Sequence, residues 1–187
     1  MTAGMADSPK AKAFQSAAWP HLAAAMTLAR WLTRNEHDAE DIVQEAYLRA
    51  YKYFDSFDGQ NQRAWLLSIV RNTFYSVARQ RRQQGPTLSY DDELNAADWS
   101  DVLLAAASEI SAESALIRQE QQGLVHQALR TLPDEFREVL VLRELEDLSY
   151  KDIALVVGIP IGTVMSRLSR ARGLLAQAIL RASRKAP

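Results

Sequence analysis

Apolar residues recur at helical spacing along most of the chain. Phe14, Ala18, Leu22, Ala25, Leu28, Ala29 and Leu32 form one stripe of a helix over about Phe14 to Arg34. Pro20 lies inside that stripe. It has no N–H to donate and crowds the preceding turn, so a kink, or a start as late as Trp19, is expected. Asn35 to His37 break the pattern. Asp38 suits the cap of a second helix, with Glu40 and Asp41 at the positive end of its dipole. This helix runs to about Phe54. Ser56 to Gln60, with Gly59, is predicted as a loop, and a third helix covers about Asn61 to Arg82.

Periodicity fades after residue 84 and returns near Glu113. The C-terminal stretch predicts four helices, the first from Glu113 to Thr131. Pro133, Asp134 and Glu135 open the second, since proline and acids suit a first turn, and it ends near Leu145. Ser149 and Asp152 have capping-box spacing, with Asp in place of Glu, at the start of a short third helix. Gly158 can end it in the left-handed conformation. Pro160 follows, and the last helix runs from about Ile161 to Arg181. Gly123 and Gly173 fall inside predicted helices, at about 1 kcal/mol each relative to Ala. The expected fold is all-α: two small helical domains, residues 13–84 and 113–182, joined by a linker over 85–112.

Charge sharpens that division. The net charge is −1, which argues against a general DNA-coating protein. Residues 1–84 hold 11 bases and 8 acids; residues 85–112 hold 6 acids and no base; residues 113–187 hold 11 bases and 9 acids. The acidic segment opens at Gly85-Pro86 and lacks sustained periodicity beyond a short helix around Val102 to Ala107. It reads either as a solvated tether or as a nucleic-acid mimic for a basic channel. There is no cysteine, which excludes disulfides and cysteine-bound zinc. Met1 to Lys12 carries no apolar signal core, and no run approaches the ~20 apolar residues of a membrane span. A cytoplasmic protein without membrane insertion is expected.

Ser149 to Arg172 has the layout of a DNA-reading helix-turn-helix: a short helix, a Gly-containing turn and a longer helix. At 100° per residue, Val164, Leu168, Ala171 and Leu175 share one side and should pack on Ile153, Ala154 and Val157. Thr163, Ser166, Arg167 and Arg170 share a face about 100° away. No acid occurs from Pro160 to Pro187. Arginine can hydrogen-bond two acceptors on guanine, and hydroxyls suit phosphates or base edges. An ordinary solvated basic face has the same geometry.

The stretch Ala128 to Leu175 resembles the promoter −35-binding domain of extracytoplasmic-function (ECF) sigma factors, most specifically in LSYKDIA and GTVMSRLSRAR. Helix-turn-helix regulators of the LuxR type share a weaker form of the pattern. The N-terminal block separates the two. DAEDIVQEAYLRAYKYFDSF, Asp38 to Phe57, resembles the family helix that docks on the clamp helices of the largest subunit of RNA polymerase. Helical spacing puts Asp41, Gln44, Glu45, Leu48 and Lys52 outward. Ile42, Val43, Ala46, Tyr47, Ala50, Tyr51 and Phe54 turn inward. RAWLLSIVRNTFYSVARQRRQ, Arg63 to Gln83, resembles the family region that melts and reads the −10 element.

Capturing an unstacked base requires an aromatic or apolar wall, hydrogen-bond donors and cations for the phosphates. Trp65, Phe74 and Tyr75 supply rings, and Arg71, Arg79, Arg81 and Arg82 supply charge. The resemblance places Asn72, Thr73 and Ser76 in or beside the pocket for a flipped base. Trp65 at this spacing equally suits the core. The resemblance also implies −35 contacts from Thr163, Ser166, Arg167, Arg170 and Arg172, with an anti-sigma factor as regulator, often in a stress or envelope response. Met165 and Ser169 depart from the family pattern and leave the −35 preference open.

Nothing in the sequence points to catalysis. Asp38, Glu40, Asp41 and Glu45 are ordinary helix-start acids, and His21, His37 and His126 are isolated. No metal and no cofactor are expected. Two other readings remain at this point: a decoy that titrates an anti-sigma factor, and a LuxR-like dimer that binds DNA without polymerase.

Overall fold

The structure is a computed structural model, and its described residues are 8–83 and 112–184. The acidic segment up to residue 111, with the short helix expected near Val102, lies outside them. Every regular element among the described residues is helical.

Helix α1 spans Pro9–Ala18. It starts before Phe14 because Ser8 caps it, accepting from the Ala11 N–H at 3.1 Å, with Pro9 in the first turn. That turn is polar, so an apolar stripe does not reveal it. Pro20 then forces a tight turn over Trp19–His21, and α2 spans Leu22–Thr33. The break leaves the Ala18 carbonyl free to accept from the Tyr47 hydroxyl at 3.0 Å. Burial pushes that phenol up to about 12.

Arg34 ends α2 in the left-handed region, at φ 61°. Helix α3 spans Glu36–Tyr53, and its cap is Asn35 rather than Asp38: the Asn35 side chain accepts from the Asp38 N–H at 2.8 Å. Asp38 and Glu36 sit in the first turn, where acids are favoured. Helix α4 spans Gln62–Gln83. Ala25, Ala29, Ala39, Ala46 and Ala64 are all buried between these helices. Small side chains let the backbones approach closely, with Leu28, Ile42, Leu67 and Val70 filling the remaining space.

In the second half, α5 spans Ala112–Thr131 and α6 spans Asp134–Leu140. A wider turn, Val141–Leu145, extends α6, and the Glu146 N–H reaches the Val141 carbonyl at 3.1 Å. The Arg137 side chain is fully buried yet serves the backbone. It donates to the carbonyls of Leu132 at 3.0 Å and Arg130 at 3.4 Å, and pairs with Asp134. The carbonyls at the end of α5 thereby gain a cation, as a helix C-terminus favours.

Helix α7 spans Tyr150–Val157, capped by Ser149, which accepts from the Asp152 N–H at 3.1 Å. Gly158, at φ 72°, makes the left-handed turn that a side chain would strain. Helix α8 spans Ile161–Ser183. The chain bends by 98° between α7 and α8, within the helix-turn-helix range. Of the expected junction, Ile153, Val157, Val164, Leu168 and Ala171 are buried and Ala154 and Leu175 are half-buried at its edge, and Val156 joins them. No single helix among the described residues is long and apolar enough to cross a membrane.

The two halves also pack on each other. Helices α2 and α4 contact α6 and α7, and one apolar cluster runs from Leu28 and Val70 to Ile153 and Leu168. Charge patterning predicts the division at the acidic segment but gives no sign of this joint core.

Candidate nucleic-acid interface

Helix α3 presents a continuous outer face. Asp41, Gln44, Leu48 and Lys52 are exposed and Glu45 is half-buried, held by Arg49 one turn on at 2.7 Å. Leu48 stands 62% exposed at the centre of this polar stripe. The opposite face of α3 carries Ile42, Val43, Ala46 and Ala50 into the core.

Helix α4 divides its candidate residues among three surroundings. Trp65 sits in an aromatic cluster, stacked on Phe57 with ring centroids 4.3 Å apart and 6.2 Å from Phe54. Thr73 is completely buried, so its hydroxyl faces the interior rather than a strand. Asn72, Ser76 and Arg79, spaced one turn apart, are exposed, as is Arg82. Arg81 is tied to Asp38 at 2.8 Å, and that hydrogen bond raises its pKa.

Arg71 and Tyr75, also one turn apart, point across to α6. The Arg71 guanidinium donates to both oxygens of Glu138, at 2.9 and 3.2 Å, and lies 4.6 Å over the Tyr75 ring. The Tyr75 hydroxyl donates to the same carboxylate at 3.1 Å. Burial, followed by the charge of Glu138, pushes that phenol up.

Helix α8 divides its set in the same way. Ser166 and Arg170 are exposed and Thr163 is half-buried. Arg172 is exposed and bound to Glu144 at 2.8 Å, which raises its pKa. Arg167 turns inward, 3.3 Å from Glu135 and 3.6 Å from Glu138. Met165, beside Ser166, is 54% exposed. An apolar side chain there suits a thymine methyl, a role that reading for bases and hydroxyls overlooks.

Glu138 is the residue the sequence reasoning missed. Its side chain is fully buried, and a buried carboxylate requires compensating charge and donors. It takes them from Arg71, Tyr75 and Arg167, which come from both halves of the chain. Its one signal in the sequence is an acid among core positions, beside Val139 and Leu140 and one turn from Asp134. Other pairs cross the same junction: Arg63 with Glu146, Asn61 with Asp152, and Arg34 with Asp134 at 3.3 Å. His126 packs against Trp31 with centroids 4.9 Å apart and the rings tilted by 42°, and burial lowers its pKa.

The fold therefore joins a helical domain with an exposed docking face to a helix-turn-helix domain of the DNA-reading kind. Comparison with known proteins makes this specific. Residues 20–84 match sigma-70 region 2, and residues 122–175 match sigma-70 region 4. The chain is 38% identical over 154 residues to the RNA polymerase sigma-H factor of Pseudomonas aeruginosa, covering 79% of this chain and 78% of that protein. It is 39% identical over 139 residues to the ECF RNA polymerase sigma-E factor of Escherichia coli K12, covering 72% and 70%. Among solved structures, the sigma factor RpoE of Bartonella quintana, in complex with the anti-sigma factor NepR, aligns over 90% of this chain and 97% of its own, at TM-score 0.65 and 32% identity. CnrH, in complex with the cytosolic domain of CnrY, aligns over 91% and 89%, at TM-score 0.60 and 26% identity. The chain belongs to the ECF sigma factors of the sigma-70 family, RNA polymerase factors of transcription initiation rather than catalytic enzymes. The region 2 match rules out the LuxR-type reading, which makes no provision for residues 20–84.

Proposed function

We propose a division of labour among the exposed faces. The outer face of α3, Asp41, Gln44, Glu45, Leu48 and Lys52, docks on the clamp helices of the largest polymerase subunit. Helix α4 receives the opened −10 strand: Asn72 and Ser76 hydrogen-bond an unstacked base, and Arg71, Arg79 and Arg82 neutralise phosphates. Tyr75 offers a ring to the base. Trp65 and Thr73 act from within the domain, shaping α4 rather than touching DNA. Helix α8 lies in the −35 major groove, with Thr163, Ser166, Arg167, Arg170 and Arg172 at bases or phosphates and Met165 at a thymine methyl. The acidic linker over 85–112 runs through the polymerase channel.

The observation that carries this reading is that the two sets of outward side chains lie on different helices. Leu48 is presented outward on α3, while Ser166, Met165 and Arg170 are presented outward on α8. The protein works in the cytoplasm, where polymerase is. It is held in check by an anti-sigma factor that grips both domains, as part of a stress or envelope response. RpoE and CnrH support this, each solved with such a partner or with a partner's cytosolic domain.

A gel shift with and without core polymerase tests the proposal. Promoter fragments should be retarded strongly only when core is present. Equal retardation without core would refute polymerase docking as the basis of recognition.

A further inference from the structure

We propose that Ile161 and Met165 form an apolar edge on α8 that reads the C5 methyl group of a pyrimidine in the −35 element. Promoter choice then turns on a methyl as well as on hydrogen bonds. The inference rests on the placement of α8 in the −35 groove given above, and widens the single Met165 contact into a site. Ile161 and Met165 lie one turn apart and are 46% and 54% exposed. Both belong to the first turns of α8, the part of a recognition helix that meets base edges.

The geometry of α8 divides its outer surface. Val164, Leu168 and Ala171 form the buried stripe. Opposite it lie Gly162, Ser166 and Ser169, all exposed and small, which lets the helix sit deep in a groove. Thr163 and Arg170 flank that centre line on one side, and Ile161 and Met165 on the other. One edge therefore carries a hydroxyl and a guanidinium, the other two side chains without a charge or an N–H or O–H donor. Arg172, further along the apolar edge, is held by Glu144 at 2.8 Å. No acid occurs from Pro160 to Pro187, so the surroundings of the apolar pair suit a polyanion.

Base chemistry selects the occupant. In the major groove the bases differ by donors, acceptors and one apolar group, the thymine C5 methyl. Arginine and hydroxyls read the donors and acceptors. Isoleucine has no polar side-chain atom and methionine only a weak acceptor, so the feature they distinguish is the methyl. A cytosine methylated at C5 carries the same group at the same place. Ile161 is branched at Cβ and stiff, a fixed wall, while the unbranched Met165 thioether adapts to what lies against it. The rise from Ile161 to Met165 is about 6 Å, or about two base steps, so the methylated pyrimidines are near neighbours. From Ile161 to Arg170 it is about 13.5 Å, which puts a guanine read by Arg170 within about four base pairs of them.

The test uses holoenzyme assembled from core polymerase and the full chain. Duplexes with a randomised −35 region are selected for binding, and the preferred duplex is rebuilt with single-group changes. Deoxyuridine in place of one thymidine removes only the C5 methyl and keeps every hydrogen-bonding group. In a second arm, 5-methylcytosine in place of one cytosine adds only that methyl. At one or two positions the first arm should lose about fourfold in affinity, or the second gain about fourfold, the worth of one buried methyl. A loss in the first arm assigns the methyl to thymine, and a gain in the second to methylated cytosine. Affinities unchanged at every position in both arms would overturn the proposal.

Protein variants assign the effect to this edge. Ile161→Ala with Met165→Ala removes two exposed side chains and should bind the methylated and unmethylated duplexes alike. A methyl effect that persists in this variant would overturn the assignment. Arg170→Ala checks the reading beneath it: it should weaken binding to every duplex and leave the methyl effect intact. If Arg170→Ala weakens binding while the methyl has no effect in the wild-type chain, this inference alone falls. If holoenzyme selects no −35 sequence, or Arg170→Ala changes nothing, the groove placement of α8 falls and takes the inference with it.

Discussion

Arg170→Ala separates promoter reading from stability more cleanly than any other substitution on α8. Arg170 is exposed, and no ion pair holds it among the described residues. Its removal should therefore change folding stability by no more than about 0.5 kcal/mol. A bidentate arginine–base contact contributes about 1–3 kcal/mol of discrimination. That corresponds to a loss of about 5- to 150-fold in affinity for the −35 duplex.

Its neighbours should behave differently. Arg172 already spends its guanidinium on Glu144 at 2.8 Å, so Arg172→Ala should cost DNA binding less. Arg167 supports the buried Glu138, so Arg167→Ala should also lower stability, by about 1–3 kcal/mol. The assay is fluorescence anisotropy of a labelled −35 duplex titrated with holoenzyme, run beside thermal unfolding of each free variant. The reasoning fails if Arg170→Ala binds within twofold of wild type, or if its loss of binding is matched by an equal loss of stability.

Three further outcomes follow from the same structure. Leu48→Asp should weaken core polymerase binding about tenfold or more, from about 1.5 kcal/mol of lost apolar burial, and leave the melting midpoint unchanged, because Leu48 is 62% exposed in the free chain. Leu168→Ala should destabilise the protein by about 2–5 kcal/mol in urea unfolding, since its side chain is buried where α7, α8 and the joint core meet. The His126 pKa is lowered below its ordinary 6.5 in the folded chain, by burial and then by Arg130. The unfolded state therefore binds more protons there, and stability should be complete above pH 6.5 and fall as pH drops through the lowered value. His126→Phe, tested by unfolding across pH 5 to 8, should flatten that part of the profile.

Much of this fold is legible from periodicity. The stripe from Phe14 to Leu32 spans two helices, α1 and α2, divided at Pro20, the stripes ending at Phe54 and Arg82 match α3 and α4, and Gly158 takes the left-handed turn expected of it. The misses have physical causes. Ser8 and Asn35 cap their helices through short side chains in polar turns, where no apolar pattern marks the boundary. Asp38 has the right chemistry for a cap but sits three residues inside the one Asn35 makes.

The site was legible in its faces and not in its pairings. Helical geometry puts Leu48 and Lys52 outward whatever else the chain does. It also puts Arg71 with Tyr75, and Thr163 with Arg167. It does not say that Arg71, Tyr75 and Arg167 converge on one acid, because that depends on how residues 8–83 pack against residues 112–184. Helical periodicity is a local property, whereas the Arg71–Glu138 contact spans 67 residues.

Run-off transcription from genomic fragments, with core polymerase and this chain alone, tests the central claim most directly. The account predicts discrete transcripts that need the chain, start at a limited set of promoters, and are lost with Leu48→Asp and reduced with Arg170→Ala. Failure to initiate at any genomic promoter, while the chain binds core normally, would contradict it.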